Sequence, residues 1–373
     1  MKILHSADWH LCSPLSCRLG EEKAKERRAE LLSGFADMTA YARENGLRAI
    51  LLCGDIGDNG TLPYAVQDYL LDTMTAEETI RFFLISGNHD RMTQGTVGGI
   101  FTRGRRQLPR NLTVFGGEWE TVRIGDAVTV SGCSFDGKTA ASLPKLEKED
   151  YNIVLLHGEI MESGEGTLGT DDIIPLTSLS EKNIDYLALG HYHSFRHGKL
   201  GRRGTWCYAG CPGGRGFDEC GEKGFVVLNL ETPKDGKVSC SAEFVPFARR
   251  RLHRVEVDVT DIPAALHALE DAVMTAVKGI PSADLVRVVL CGSDAPEIVR
   301  DTAYLTTRLS GRFYYIEVTD ERKTALDMDA FRGDISLRGE FVRRVLSSPL
   351  TEKEKAEVLR CGLSAFDGEA RYL

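Results

Sequence analysis

The sequence predicts an α/β fold, and three observations carry that reading. Short apolar runs alternate with helical or loop material from Lys2 to Leu230, the pattern of a layered domain. A long amphipathic stretch separates the first two runs. Thr121–Phe135 reads as a hairpin turning at Gly125-Asp126, so the sheet is mixed rather than purely parallel.

The strand-like runs are Lys2–Ser6, Leu47–Cys53, Arg81–Ser86, Asn152–Leu156, Ile184–Leu189 and Phe225–Leu230. Glu21–Asn45 reads as a helix because Leu31, Phe35, Met38 and Ala42 line one face, with Gly46 placed to cap its C-terminus. A second helix is predicted to begin near Pro63, since Pro is tolerated in a first turn. At Pro246–Arg251 the character shifts. "PFARRRLHRVEVDVT" opens a new strand, a helix follows near Ala264–Val277, and strands follow near Leu285–Leu290 and Phe313–Val318. From Leu337 the tail reads as two short helices split at Ser347-Ser348-Pro349. The expected domains are therefore residues 1–245, an α+β capping domain over 246–330, and a helical segment over 331–373. That last segment is either a cap on its own domain or a pair of helices that docks a partner.

Hydrophobic residues at 42% and charged residues at 27% are ordinary for a soluble globular chain. Met1–Ser6 has no basic stretch leading into an apolar core, and no apolar run approaches the roughly 18 residues that span a bilayer. A cytoplasmic protein without membrane association is expected. Ten cysteines occur without any C-x-x-C pair, so reduced thiols are expected, with Cys207 and Cys211 the nearest approach to a ligand pair. A net charge of −9 does not advertise nucleic-acid binding, although basic residues can be confined to one surface.

The chemistry gathers where the strands end. The first run is followed by Asp8-Trp9-His10, the second by Gly54-Asp55-Ile56-Gly57-Asp58-Asn59, and the third by Gly87-Asn88-His89-Asp90. His157-Gly158 ends the fourth and Gly190-His191-Tyr192-His193 the fifth, so five of the nine histidines sit at strand ends. In open α/β sheets those ends face the ligand crevice. Imidazole, carboxylate and amide donors without thiolate suit Mn²⁺, Fe²⁺ or Zn²⁺. Asp8, His10, Asp55, Asn88, His157, His191 and His193 are enough for two ions sharing one carboxylate. Such a pair, roughly 3.5–4 Å apart, can activate water and clamp a phosphoryl group in line. Each motif alone is compatible with a capped turn, and His157 with a core histidine; it is the ordered set that points to metals.

The set DWH, GDIGDN, GNHD, HG, GHYH resembles the signature of calcineurin-like metallophosphoesterases, over roughly residues 1–235. "ILHSADWHL", "LLCGDIGDN", "FFLISGNHD" and "YAGCPGGRGFDECGEKGF" are similar to its DNA-repair exonuclease branch, the SbcD-type nucleases. The resemblance implies a two-layered mixed β-sheet sandwich flanked by helices. It implies two divalent ions, Mn²⁺ before Fe²⁺ or Zn²⁺, one held by Asp8, His10, Asp55 and His193. The other would be held by Asp55, Asn88, His157 and His191. His89 would act on the phosphate together with the bridging Asp55, while Asp58 and Asp90 orient imidazoles or loops. DNA, an SMC-like ATPase of the SbcC type and a second copy of the chain are the implied partners. Cys12 and Gly57 depart from the family pattern, where Gly or Asp and a bulky residue are usual; neither position is a ligand.

Basic residues near the motifs are the argument for DNA. Arg91, Arg103, Arg105 and Arg106 follow the third motif; Arg196, Arg202, Arg203 and Arg215 follow the fifth. They either line the crevice and position a phosphate backbone or sit on solvated loops. Trp9 and Tyr192 either stack on a base or anchor loops. Three functions are thus in play: a DNA exonuclease or endonuclease acting in repair, a small-molecule phosphodiesterase or phosphatase, and a DNA-end-binding scaffold for an ATPase.

Overall fold

Two six-stranded sheets carry the five ligand-bearing strands. The computed structural model describes residues 1–15, 17, 19–58, 60–134, 143–162, 172–231, 238–294, 300–324 and 334–366. Asn59, Phe135 and parts of the two C-terminal segments expected from the sequence lie outside the described residues. The chain divides into two units, Met1–His253 with Ala283–Leu285, and Arg254–Ser282 with Val286–Leu373.

In the first sheet the order is Ser239–Pro246, Gly224–Glu231, Lys2–Ser6, Ala49–Cys53, Arg81–Ile85, Leu112–Val114. The last four run parallel and the first two are antiparallel additions. The second sheet is ordered Arg196–Leu200, Gly204–Tyr208, Tyr186–Gly190, Tyr151–His157, Val128–Gly132, Glu120–Arg123. Its four central strands are parallel and both edges antiparallel. The hairpin read from the sequence is present as the pair Glu120–Arg123 and Val128–Gly132, and it forms the flank of this second sheet. The motif-bearing strands are thus split, three on one layer and two on the other.

Alternation explains how the layers stack. On Ala49–Cys53, residues Ala49, Leu51 and Cys53 face the second sheet, meeting Ile153, Leu155 and Ala188. Ile50 and Leu52 face the other way, toward Phe35 and Met38 of the helix Glu21–Glu44 and Leu70 and Met74 of the helix Tyr64–Ala76. Strands buried on both faces need apolar residues at every position, and Ala49–Cys53 is buried throughout. The first helix ends as its sequence indicates, with Gly46 in the left-handed region at φ 68°.

The first unit runs past residue 245 because the next segment is pinned to it. The Phe247 N–H donates to the Lys223 carbonyl at 2.9 Å, and the Phe247 ring lies 4.9 Å from that of Phe225. Arg250 pairs with Glu30 of the first helix at 3.0 Å. The second unit is an α+β body whose three-stranded sheet, Leu252–Asp258, Leu285–Cys291 and Tyr315–Asp320, packs Val257, Val288, Leu290 and Ile316 against Leu269, Val273 and Leu305 of two helices. Helices Leu337–Leu346 and Glu352–Phe366 pair through Val342, Val345, Leu359 and Leu363.

Candidate metal centre

The loops after the five parallel strands are turned sharply enough to strain them. Asp8, His10, Asp55 and His191 have φ of 54°, 44°, 52° and 115°, a region that non-glycine residues rarely enter. Neighbouring loops hold them there. The His10 N–H donates to the Asp55 carbonyl at 2.9 Å and the Asp8 N–H to the Gly54 carbonyl at 3.1 Å. The fully buried Asp90 carboxylate accepts from the N–H groups of Asp55, Ile56, Gly57 and Gly87 at 3.2, 2.7, 3.2 and 2.6 Å, tying the second loop to the third. Burial and the charge of Asp55 push the Asp90 carboxyl up to about 6, against those N–H donors. Glycine is needed where the loops touch: a Cβ on Gly87 would fall 2.3 Å from Asp55 Oδ1 and 2.7 Å from His157 Cε1.

Three imidazoles share one arrangement. Nδ1 of His10 meets Asp58 at 2.9 Å, Nδ1 of His157 meets the Cys53 carbonyl at 2.9 Å, and Nδ1 of His193 meets Glu219 at 2.7 Å. Each Nδ1–H donates outward, which leaves Nε2 directed inward. Inside, His10 Nε2 lies 3.1 Å from His193 Nε2 and 3.6 Å from Asp55 Oδ2. Asp55 Oδ2 is 3.2 Å from His157 Nε2, which is 2.9 Å from Asn88 Oδ1. One atom each from Asp8, His10 and His193 lies within a 4.8 Å group, and so does one each from Asp8, Asp55 and His157.

The donors fit divalent cations. Asp8 Oδ1 accepts the His191 N–H at 2.9 Å, but the buried Oδ2 has no hydrogen-bond partner among the described residues. Burial raises the Asp8 carboxyl to about 6, opposed most by His157, as expected of a group that lacks a compensating charge. For Asp55, burial pushes up, yet His157 and His10 hold its carboxyl well below the ordinary range. Burial lowers His10 to about 4, with Arg215 adding to the effect.

The other expected residues fall around this core. His191 is half-buried, its ring 5.6 Å from and perpendicular to that of His157. The His89 side chain is 48% exposed, with Nδ1 3.4 Å from Asp58 and its backbone N–H donating to Asp55 Oδ1 at 2.9 Å. Asp58 therefore touches two imidazoles, while Asp90 touches only backbone. Trp9 is buried, its Nε1–H on Ser6 Oγ at 2.9 Å and its ring against Phe35, so it anchors the first loop. The Tyr192 hydroxyl donates to Glu159 at 2.6 Å, with the Arg196 guanidinium 4.3 Å from the ring. Cys207 and Cys211 are buried and belong to no metal-ligating group among the described residues.

The arginines divide. Arg91, 53% exposed, and Arg196, at the strand end beside Tyr208, lie at the edge that carries the histidines. Arg215 is 3.9 Å from Asp58 and 2.7 Å from Glu219. Arg103 donates to the Gln94 and Thr96 carbonyls at 3.0 Å each, Arg105 grips Asp68 at 2.9 and 2.6 Å, and Arg106 pairs with Asp68 and Asp72. Arg202 and Arg203 occupy the turn between Arg196–Leu200 and Gly204–Tyr208, at the opposite edge of the sheet from the histidines. There Arg203 binds Asp185 at 2.7 Å and the Lys148 carbonyl at 2.7 Å, just before two parallel strands begin. Glu219 is the site residue that strand-end reading missed; its only local signal is the Arg215/Glu219 spacing within "RGFDE".

The calcineurin-like phosphoesterase family model matches residues 1–195, more than half of the chain. This chain belongs to that family. The phosphoesterase is 22% identical over 311 residues to the SbcD component of the nuclease SbcCD from Escherichia coli K12, covering 73% of this chain and 74% of that one. The same figures hold for the SbcD component of the nuclease SbcCD from Escherichia coli O157:H7. Among solved structures it is similar to GAP50, the anchor in the inner membrane complex of Plasmodium, at 12% identity and a TM-score of 0.36, over 66% of this chain and 89% of that one. That likeness is too distant to add to the fold. Family and site together make the protein a metal-dependent hydrolase of phosphoesters. Among the described residues, no helix is long and apolar enough to cross a membrane.

Proposed function

We propose that this phosphoesterase is a DNA nuclease that hydrolyses phosphodiesters at a two-ion centre. The observation that carries the reading is the inward set of Nε2 atoms from His10, His157 and His193 around Asp55, with the half-exposed His89 beside it. Asp8, His10, Asp55 and His193 would hold one ion, and Asp55, Asn88, His157 and His191 the other. Two divalent ions, Mn²⁺ before Fe²⁺ or Zn²⁺, supply Lewis acidity and lower the pKa of water there. Asp58 accepts from His89 Nδ1, which leaves Nε2 to face a phosphate oxygen, steady its charge and pass a proton to the departing oxygen. Arg91, Arg196 and Arg215 are the cations placed to position a DNA backbone at this edge.

DNA as the substrate rests on the name of the relatives and on those three arginines. The relatives' name, the SbcD half of SbcCD, also supports an SMC-like ATPase partner and a role in DNA repair. Its docking site in our reading is the helix pair from Leu337, and a second copy of the chain completes the assembly. A small-molecule phosphodiesterase is the second reading, favoured because Arg103, Arg105, Arg106 and Arg203 are engaged within the fold.

The deciding test is degradation of end-labelled linear DNA in Mn²⁺, beside His89→Ala and a small aryl phosphodiester. DNA cleavage that disappears in the variant supports the nuclease. Hydrolysis of the small diester with DNA left intact, even after an ATPase partner is added, moves the conclusion to the second reading. DNA binding by His89→Ala with full support of an ATPase would favour the scaffold.

A further inference from the structure

A buried ion pair beside the metal centre takes no part in the phosphoryl chemistry. The Glu219 side chain is 3% exposed, yet it lies in the loop that returns from Gly204–Tyr208, not at the end of a motif strand. Its Oε1 accepts from His193 Nδ1 at 2.7 Å and from Arg215 Nη2 at 2.7 Å, and its Oε2 accepts the Arg215 backbone N–H at 2.7 Å. The loop is itself held. Arg27, buried in the first helix, donates to the Gly214 carbonyl at 2.8 Å, and Lys223 Nζ donates to the His193 carbonyl at 2.6 Å.

Stability alone explains this pair poorly. Taking a carboxylate and a guanidinium out of water costs several kcal/mol each, and apolar residues of similar volume usually do as well. What the pair does achieve is geometric. A guanidinium that grips a carboxylate in two places fixes where its oxygens stand. Oε1 then dictates both the tautomer and the plane of the His193 ring, and so the direction of Nε2 toward His10.

We infer that Glu219 is a positioning residue: it holds His193 Nε2 on the ion shared with Asp8, His10 and Asp55, and through Arg215 it ties that ion to the cation facing the substrate. Arg215 Nη1 reaches Ser13 Oγ at 3.2 Å and stands 3.9 Å from Asp58, which places the guanidinium between the Asp58 and Glu219 carboxylates that orient His10 and His193. One carboxylate thus serves an ion and a phosphate-facing group together. The inference rests on the two-ion reading above and deepens it.

The test is Mn²⁺ binding to the full chain, followed by the loss of the free-ion resonance in electron paramagnetic titrations, without turnover. The wild-type protein should take two ions. Glu219→Gln, which keeps the shape but not the charge, should weaken one of the two sites by about 10- to 100-fold and leave the other unchanged. Two unchanged affinities in a folded variant would overturn the inference, as would an equal loss at both sites. Should Glu219→Gln fail to fold by circular dichroism, Arg215→Lys carries the test, since it retains the charge without the two-pronged grip. It should weaken the same site severalfold, and unchanged binding again overturns the inference. A wild-type protein that binds fewer than two ions would refute the two-ion reading itself, a different failure.

Discussion

His10 Nε2 and His193 Nε2 stand 3.1 Å apart, and the Nδ1 of each is held by a carboxylate, Asp58 at 2.9 Å and Glu219 at 2.7 Å. With both Nδ1–H groups committed outward, the inner nitrogens present two lone pairs to one another. Only a proton or a cation makes that approach favourable, and the partnerless Asp8 Oδ2 lies in the same cluster.

Asp55 is the oxygen donor common to both halves of the centre, 3.6 Å from His10 Nε2 and 3.2 Å from His157 Nε2. Asp55→Ala should lose both ions together, measured by elemental analysis after gel filtration. Two ions per chain in that variant would refute the bridging assignment.

Protons compete with metal at His157. Burial works to lower its pKa, but Asp55 and Asp8 raise it to about 9, above the ordinary 6.5. In metal-free protein this contribution to stability is complete below pH 6.5 and is lost as pH rises through about 9. Mn²⁺ affinity should therefore increase with pH up to about 9, with proton release visible as buffer-dependent heats in calorimetry. A pH-independent affinity between about 6.5 and 9 would contradict the placement of His157 Nε2 on an ion.

Gly87→Ala would press a methyl group into Asp55 and His157, at 2.3 and 2.7 Å. Overpacking of this kind costs about 1–3 kcal/mol. The variant should melt at lower temperature even in chelator, and its metal content should fall because both neighbours are ligands. An unchanged melt and full metal content would show that the loops relax freely.

Arg196 and Arg203 lie at opposite edges of one sheet, separated by a strand about 13 Å long. Arg196→Glu should weaken DNA binding and flatten its salt dependence while leaving the urea midpoint unchanged. Arg203→Glu should lower the urea midpoint by breaking its ties to Asp185 and Lys148, with DNA binding retained. The reverse pattern would place the DNA path at the other edge.

The identity and order of the metal donors were determined by sequence alone. Each follows a short apolar strand, and in a parallel sheet every such strand delivers its C-terminal residue to the same edge, so local pattern suffices. The helix ending at Gly46 and the split between the two C-terminal helices were legible for the same reason, because caps and breaks are set by neighbouring residues. Tertiary structure alone decided which sheet each motif strand joins, which arginines remain at the crevice, and who holds His193. Arg202 and Arg203 follow the fifth motif closely in sequence, but the strand between them reverses direction and carries them to the far edge. Glu219 reaches His193 only because the loop after Tyr208 folds back, and a buried carboxylate's partner is chosen by proximity in space, which strand and helix periodicity do not encode.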